Sequence, residues 1–290
     1  MRAGVLIRSW PQAYQPGKQV SMVSVRRQWA VPTTPRFVRQ YRPRSRGLKR
    51  QYYSQPGVVD RYDAWRFGSE GGRYVGQREI DSVLDLMREV RRDARILDMP
   101  VGTGRLSRAL IDAGYSNVEG ADYSLAMLEK ARERCGAEFI TSRQDAFATY
   151  YADQSFDAVV CVRFVFHHAE TQRLLREICR LLRPGGLLVA DTLRWSPRSV
   201  LPALQRSLGG VVYTHRDDAM KCMLADAGFE LLAHRRILLV PSLVYRFVPA
   251  FLVEPLDRAE RRLPSALCSK SFWSARRQVP SPVDGSCQSP

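Results

Sequence analysis

The chain has 290 residues, 45% hydrophobic and 26% charged, the mix of an ordinary globular protein with one sizeable core and some length to spare. Its formal net charge of +16 is uneven: before Asp60 there are ten Arg, two Lys and no acid, and the 33 basic and 29 acidic residues that follow leave only +4. The six cysteines form no C-x-x-C pair and no Cys/His cluster, which argues against a metal site or a disulfide framework and fits a reducing compartment.

Residues 1–52 read as a basic arm. Prolines and the lack of a sustained apolar period exclude a packed domain there. Such an arm suits contact with nucleic acid or anionic lipid. It also has the make-up of an organellar transit peptide, or of an over-extended start with Met22 as the initiator. No compact apolar core with a small-residue cleavage site marks a secretory signal, so the expected location is cytoplasmic, or organellar if the arm is a transit peptide. The most apolar stretch, Ile237 to Val253, is broken by Pro241, Arg246 and Pro249 and is short for a membrane span.

Within a domain expected at 53–277, short β-like runs alternate with amphipathic helices after Asp60. A helix is predicted over Glu79–Arg91, with Ile80, Val83, Leu84, Leu86 and Met87 on one face. A strand follows over Ala94–Asp98, then a Gly-containing turn, a helix over Leu106–Ala113 and a strand over Val118–Asp122. Leu125–Arg134 reads as helix, Glu138–Thr141 as extended and Ala158–Arg163 as a strongly apolar strand. Thr171–Leu182 is a helix stopped by Pro184-Gly185-Gly186 before the strand Leu187–Asp191. Asp217–Ala227 is helical, Glu230–Val240 extended, and Ser271–Arg276 the final strand. An apolar insertion is expected at 241–267, lid-like or equally an ordinary dimer or core-covering helix, and a disordered tail at 278–290. Strands alternating with helices imply crossovers and a doubly wound, Rossmann-like α/β fold: a mostly parallel seven-stranded sheet with helices on both faces.

Ligands of such sheets bind beyond the carboxyl ends of the strands. The first loop there is Asp98-Met-Pro100-Val-Gly102-Thr-Gly104-Arg105, whose glycines permit a tight turn and close approach of the backbone to a ligand. The second strand ends at Asp122, where a carboxylate suits a ribose diol. The third is followed by Gln144-Asp145-Ala146, where an acid suits an exocyclic amine.

The stretch Ile96-Leu-Asp-Met-Pro-Val-Gly-Thr-Gly-Arg resembles the first motif of class I S-adenosylmethionine (SAM)-dependent methyltransferases. Gly120-Ala-Asp-Tyr-Ser-Leu-Ala-Met-Leu-Glu-Lys-Ala-Arg is similar to their second. Asp145-Ala with Ser155-Phe-Asp-Ala-Val-Val resembles the third and fourth, and Leu181-Leu-Arg-Pro-Gly-Gly-Leu-Leu-Val the segment leading into the fifth strand. The likeness is nearest to the small-molecule branch that includes ubiquinone and menaquinone C-methyltransferases. It implies SAM as cofactor, with Asp98 and the backbone near Gly102 and Gly104 on its methionine end and Arg105 beside them. Asp122 would take the ribose, Tyr123 and Met127 would flank the adenine, and Gln144, Asp145 and Ala146 would border it. Val162 and Arg163 would lie near the sulfonium. Pro100 stands where the family's first Gly is usual.

The implied acceptor is a small molecule, apolar or lipid-like, with no metal required. His167 and His168, after the fourth strand, are candidate bases. Each also reads as a structural histidine, and Arg163 as either an anion receptor or the partner of a nearby acid. In the segment Tyr62-Asp-Ala-Trp65-Arg66-Phe67 the Tyr or Trp is a candidate to close over the cofactor, or else an aromatic staple packed on the sheet. A membrane-surface partner is open, and the oligomeric state is not readable. One alternative is an RNA methyltransferase or nucleic-acid-binding protein using the arm, although the body has no RNA-binding module. A nicotinamide enzyme is disfavoured because G-x-G-x-x-G needs Gly where Ser107 stands.

Overall fold

A computed structural model of the protein describes Tyr53, residues 55–200 and residues 211–279. The basic arm at 1–52 lies outside the described residues, as does the tail beyond Val279. The element order is α1 (Pro56–Phe67), α2 (Glu70–Leu86), β1 (Arg95–Asp98), α3 (Arg105–Asp112), β2 (Asn117–Asp122), α4 (Leu125–Cys135), β3 (Thr141–Arg143), β4 (Phe156–Cys161), α5 (Thr171–Leu181), β5 (Leu182–Leu193), α6 (Asp217–Asp226), β6 (Phe229–Ile237), α7 (Ala250–Arg262) and β7 (Lys270–Arg277).

The strands form one seven-stranded sheet in the order β3-β2-β1-β4-β5-β7-β6. All neighbours from β3 to β5 pair in parallel, and β7 runs antiparallel to both β5 and β6. The order reverses between β1 and β4, which opens a crevice at their carboxyl ends. Successive strand residues face opposite sides. Ile96, Val160 and Phe272 pack with Val83, Leu110 and Leu128 of α2, α3 and α4 on one face. Leu97, Val159 and Trp273 pack with Leu174, Ile178 and Leu224 of α5 and α6 on the other. The doubly wound, mostly parallel fold expected from the sequence is therefore the observed one.

Several boundaries differ from expectation, among them the strand predicted at Ala158–Arg163 and observed at Phe156–Cys161. The α2 helix begins at Glu70 rather than Glu79, because Ser69 caps it by accepting from the Gly72 N–H, and because its glycines serve contacts instead of the apolar stripe. A Cβ on Gly71 would lie 1.9 Å from the Tyr245 carbonyl oxygen, and one on Gly76 would lie 3.1 Å from Phe67. The third strand lies at Thr141–Arg143, later than the predicted Glu138–Thr141. Finally, Pro184-Gly185-Gly186 does not precede β5 but lies within it, where the pairing with β4 shifts register between Phe156 and Ala158.

The segment 241–267 folds as a short turn of helix at Ser242–Tyr245 followed by α7. It packs against α2: Tyr74 donates to Asp257 (2.9 Å), Arg78 pairs with Glu260 (2.6 Å), and Tyr245 is buried. Among the described residues no helix is long and apolar enough to cross a membrane.

Candidate active site

A cavity opens at the crevice, lined by the turn after β1, the ends of β2 and β4, and the segment after β3. Its central carboxylate is Asp122. The Gly102 N–H donates to Oδ2 (3.0 Å) and the Ser124 N–H to Oδ1 (2.9 Å), so the acid at the end of β2 fixes the turn after β1. Burial pushes the Asp122 carboxyl up to about 6, against the lowering effect of those N–H groups. Ser124 also caps α4 by accepting from the Met127 N–H (3.3 Å).

The two glycines of the turn do different work. Gly102 (φ +54°) lines the cavity, and a Cβ there would meet no protein atom within 4 Å. Gly104 (φ +76°) is the N-cap of α3, and a Cβ there would lie 2.8 Å from the Ala131 Cα. The close approach expected of Gly104 is thus toward α4, and Gly104 is not among the lining residues. Pro100 follows a cis peptide bond and lines the cavity.

Helix α1 covers one side of the site. Thr103 of the β1 turn donates to Asp63 (2.9 Å), and Arg134 of α4 pairs with the same carboxylate (2.5 Å). Ser124 Oγ donates to the Tyr53 carbonyl (2.8 Å). These ties bring Tyr53, Tyr62 and Phe67 to the cavity wall, which Phe147, Phe164, His167 and His168 also line. Trp65 is not among the lining residues; the guanidiniums of Arg66 and Arg246 stack on it instead.

Behind the wall lies a buried ionic cluster. Glu79 accepts from Arg163 (2.9 Å), Arg105 (2.7 Å) and Lys270 (2.5 Å), and Lys270 also pairs with Asp191 (2.6 Å). Burial alone would raise the Glu79 pKa, but the three cations hold its carboxyl well below the usual range. Burial would likewise lower the Arg163 pKa, and Glu79 more than offsets it. Arg163 has φ +62°, a conformation uncommon for a residue with a Cβ. It is held there from both ends, by Glu79 at the guanidinium and by Asp191 Oδ1 at the backbone N–H (2.6 Å). Of the two sequence readings for Arg163, pairing with an acid is the observed one.

Asp98, at the end of β1, is buried beneath the lining residues. Ser107 donates to its Oδ2 (2.7 Å), whereas Oδ1 meets no donor among the described residues. Burial pushes this carboxyl up to about 7, although the Ser107 bond and Arg105 lower it.

Of the residues singled out in the sequence, Pro100, Gly102, Arg105, Asp122, Tyr123, Met127, Gln144, Asp145, Ala146, Val162, Arg163, His167 and His168 all line the one cavity. Arg105 is tied to α2 through Glu79 and the Gly76 carbonyl (2.8 Å). Asp145 Oδ1 accepts from the Phe147 N–H (3.2 Å), and the Gln144 side chain bonds to Ser142 and to the Tyr150 N–H. Glu79, Asp63, Phe147 and Phe164 went unnoticed in the sequence. They lie outside the motif stretches, and the two acids act through partners distant along the chain.

Comparison with known proteins agrees with this geometry. A family model described as a methyltransferase domain matches residues 96–186. A demethylmenaquinone methyltransferase of Thermus thermophilus is 30% identical over 182 residues, covering 53% of this chain and 80% of the relative. Methyltransferase GfsG of Streptomyces halstedii is 32% identical over 123 residues, 40% of this chain, which spans only 44% of that relative's length. The fold matches the crystal structure of magnesium protoporphyrin IX methyltransferase from Synechocystis with bound S-adenosylhomocysteine (SAH). The TM-score is 0.60 at 18% identity, over 81% of this chain and 100% of that one. A Gly turn braced by the acid of the next strand, at the switch point of this sheet and within these matches, places the chain in the class I SAM-dependent methyltransferases.

Proposed function

We propose that this chain transfers a methyl group from SAM to a small-molecule acceptor with an apolar body, and that His167 or His168 takes up the acceptor's proton. The observation that carries this reading is the aromatic wall of Tyr53, Tyr62, Phe67, Phe147 and Phe164, continuous with the carboxylate-braced turn in one cavity. Such a wall favours an apolar or ring-bearing guest. The Thermus and Synechocystis relatives are named for demethylmenaquinone and magnesium protoporphyrin IX, which supports an acceptor of this kind.

The residues present fit the cofactor. Asp98 Oδ1 is a buried acceptor with no donor among the described residues, and the ammonium of a methionine moiety is a cation that would complete it. Gly102 leaves its backbone open to a ligand. Asp122 would hold the ribose, Tyr123 and Met127 would flank the adenine, and Asp145 with the Ala146 N–H would meet its edge. When bound, SAM supplies an electrophilic methyl on a sulfonium. The protein's part is then chiefly placement, holding the acceptor in line with that methyl. The aromatic wall excludes water from the acceptor, and Arg163, fixed by Glu79, sets the shape of the β4 end. A histidine at the rim can receive a proton from a weakly acidic acceptor.

The test is incubation with isotope-labelled SAM and a panel of quinones, phenols and lipids. Label in one of these, with turnover lost in His167→Ala or His168→Ala while SAH affinity is kept, is the expected result. Label entering RNA and none of the small molecules would contradict it.

A further inference from the structure

Helix α1 meets the insertion in a patch the proposed reaction does not use. Phe247 and Phe251 are 71% and 76% exposed, far more than a large apolar side chain needs, and Val244 and Leu252 beside them in sequence are also exposed. Next to them Trp65 is stacked by two guanidiniums, Arg66 at 4.6 Å and Arg246 at 4.2 Å from the ring centroid, and Arg246 also lies over Phe247. Most arginines of the neighbouring helices are paired: Arg73 with Glu70, Arg78 with Glu260, Arg258 with Glu254 and Arg261 with Asp257. Arg66 and Arg246 have no carboxylate within 4 Å among the described residues.

We propose that this patch docks on an anionic bilayer surface, with Phe247 and Phe251 entering the interface and Arg66 and Arg246 meeting lipid phosphates. Exposed phenylalanines beside uncompensated cations are the combination that binds there. The other candidate occupants have the wrong sign. The chain's own residues before Asp60 carry +12, and a second copy carries +16. Nucleic acid would satisfy the arginines but leave the phenylalanines in water. The placement also suits the acceptor. The same helix carries Trp65 and Arg66 on the patch and Tyr62 and Phe67 on the cavity wall, so a lipid-soluble acceptor would reach the site without crossing open water. That last point rests on the proposed apolar acceptor; the docking itself does not.

The test is co-sedimentation of the full-length protein with vesicles of phosphatidylcholine, alone or mixed with phosphatidylglycerol, in moderate salt. The wild-type protein is expected to bind the mixed vesicles. Phe247→Ser/Phe251→Ser is expected to lower the partition coefficient by about tenfold or more. Arg66→Gln/Arg246→Gln is expected to reduce the preference for anionic vesicles over neutral ones. Unchanged SAH binding shows that the variants are folded, and it separates failure of the docking from failure of the methyltransferase reading. Vesicle binding by Phe247→Ser/Phe251→Ser equal to wild type would overturn the proposal. So would a wild-type dimer, by sedimentation equilibrium, that this variant turns into a monomer.

Discussion

Glu79→Gln is the perturbation whose consequence the structure sets most tightly. Glu79 is fully buried and is the shared partner of Arg105, Arg163 and Lys270, with Asp191 the only other anion of the cluster among the described residues. The cluster carries +1 in the native protein and would carry +2 in the variant, with Lys270 buried and half of its compensation gone. Removing one partner of a buried pair costs about 3–5 kcal/mol, a large share of the roughly 5–15 kcal/mol typical of a domain. Guanidinium unfolding followed by tryptophan fluorescence reads this directly, since Trp273 lies on β7 and donates to Thr192 of β5 (2.8 Å). Lys270→Met alone should also destabilise, and the double variant should recover about 1–3 kcal/mol relative to the sum of the two. The pH dependence has a definite sign. The folded-state pKa of Glu79 lies below its ordinary value of 4.5, so its contribution is fully present above that pH and is lost on further acidification. A Glu79→Gln protein within about 0.5 kcal/mol of wild type, the range of ordinary surface changes, would refute the reasoning.

Other expectations concern the turn and the two raised carboxyls. Asp122→Ala removes the acceptor of the Gly102 and Ser124 N–H groups, so calorimetry should show SAM affinity about a hundredfold weaker in a protein that still unfolds cooperatively. Gly104→Ala combines a positive φ with a contact 2.8 Å from the Ala131 backbone, so thermal unfolding should show a loss of about 2 kcal/mol or more. If the Asp98 carboxylate receives the SAM ammonium, affinity should rise about tenfold per unit as pH climbs toward 7 and then level off, and Asp98→Asn should flatten that rise. For the ligand-free protein the same shift acts in reverse. Its folded-state pKa lies above the ordinary 3.8, so the stability Asp98 contributes is present below about pH 4 and lost as pH rises through 7.

The sheet and the cofactor turn were legible because local chemistry writes them. The strand Phe156–Cys161 has the apolar run of a strand covered on both faces, and each acid or glycine of the site follows a strand in a fixed place. What stayed hidden was set by partners far along the chain. Arg163 meets Glu79 across 84 positions and Lys270 meets it across 191, so the ionic cluster has no local pattern. The start of α2 was obscured because its first turns carry no apolar stripe; Gly71 and Gly76 there admit the Tyr245 backbone and Phe67. Gly104 was given a ligand-facing role from its motif, and only the packing of α4 reveals its other neighbour. The Pro-Gly-Gly run looked like a helix stop, since a register shift within a strand uses the same residues.

Calorimetric titration of the purified protein with SAM and SAH, with NADH as control, bears most directly on the central claim. Binding of both sulfur compounds in the micromolar range or tighter, and none of NADH, is expected from a cavity whose glycine turn is braced by Asp122. Binding of NADH, or of neither sulfur compound, would contradict the assignment of this site to methyl transfer.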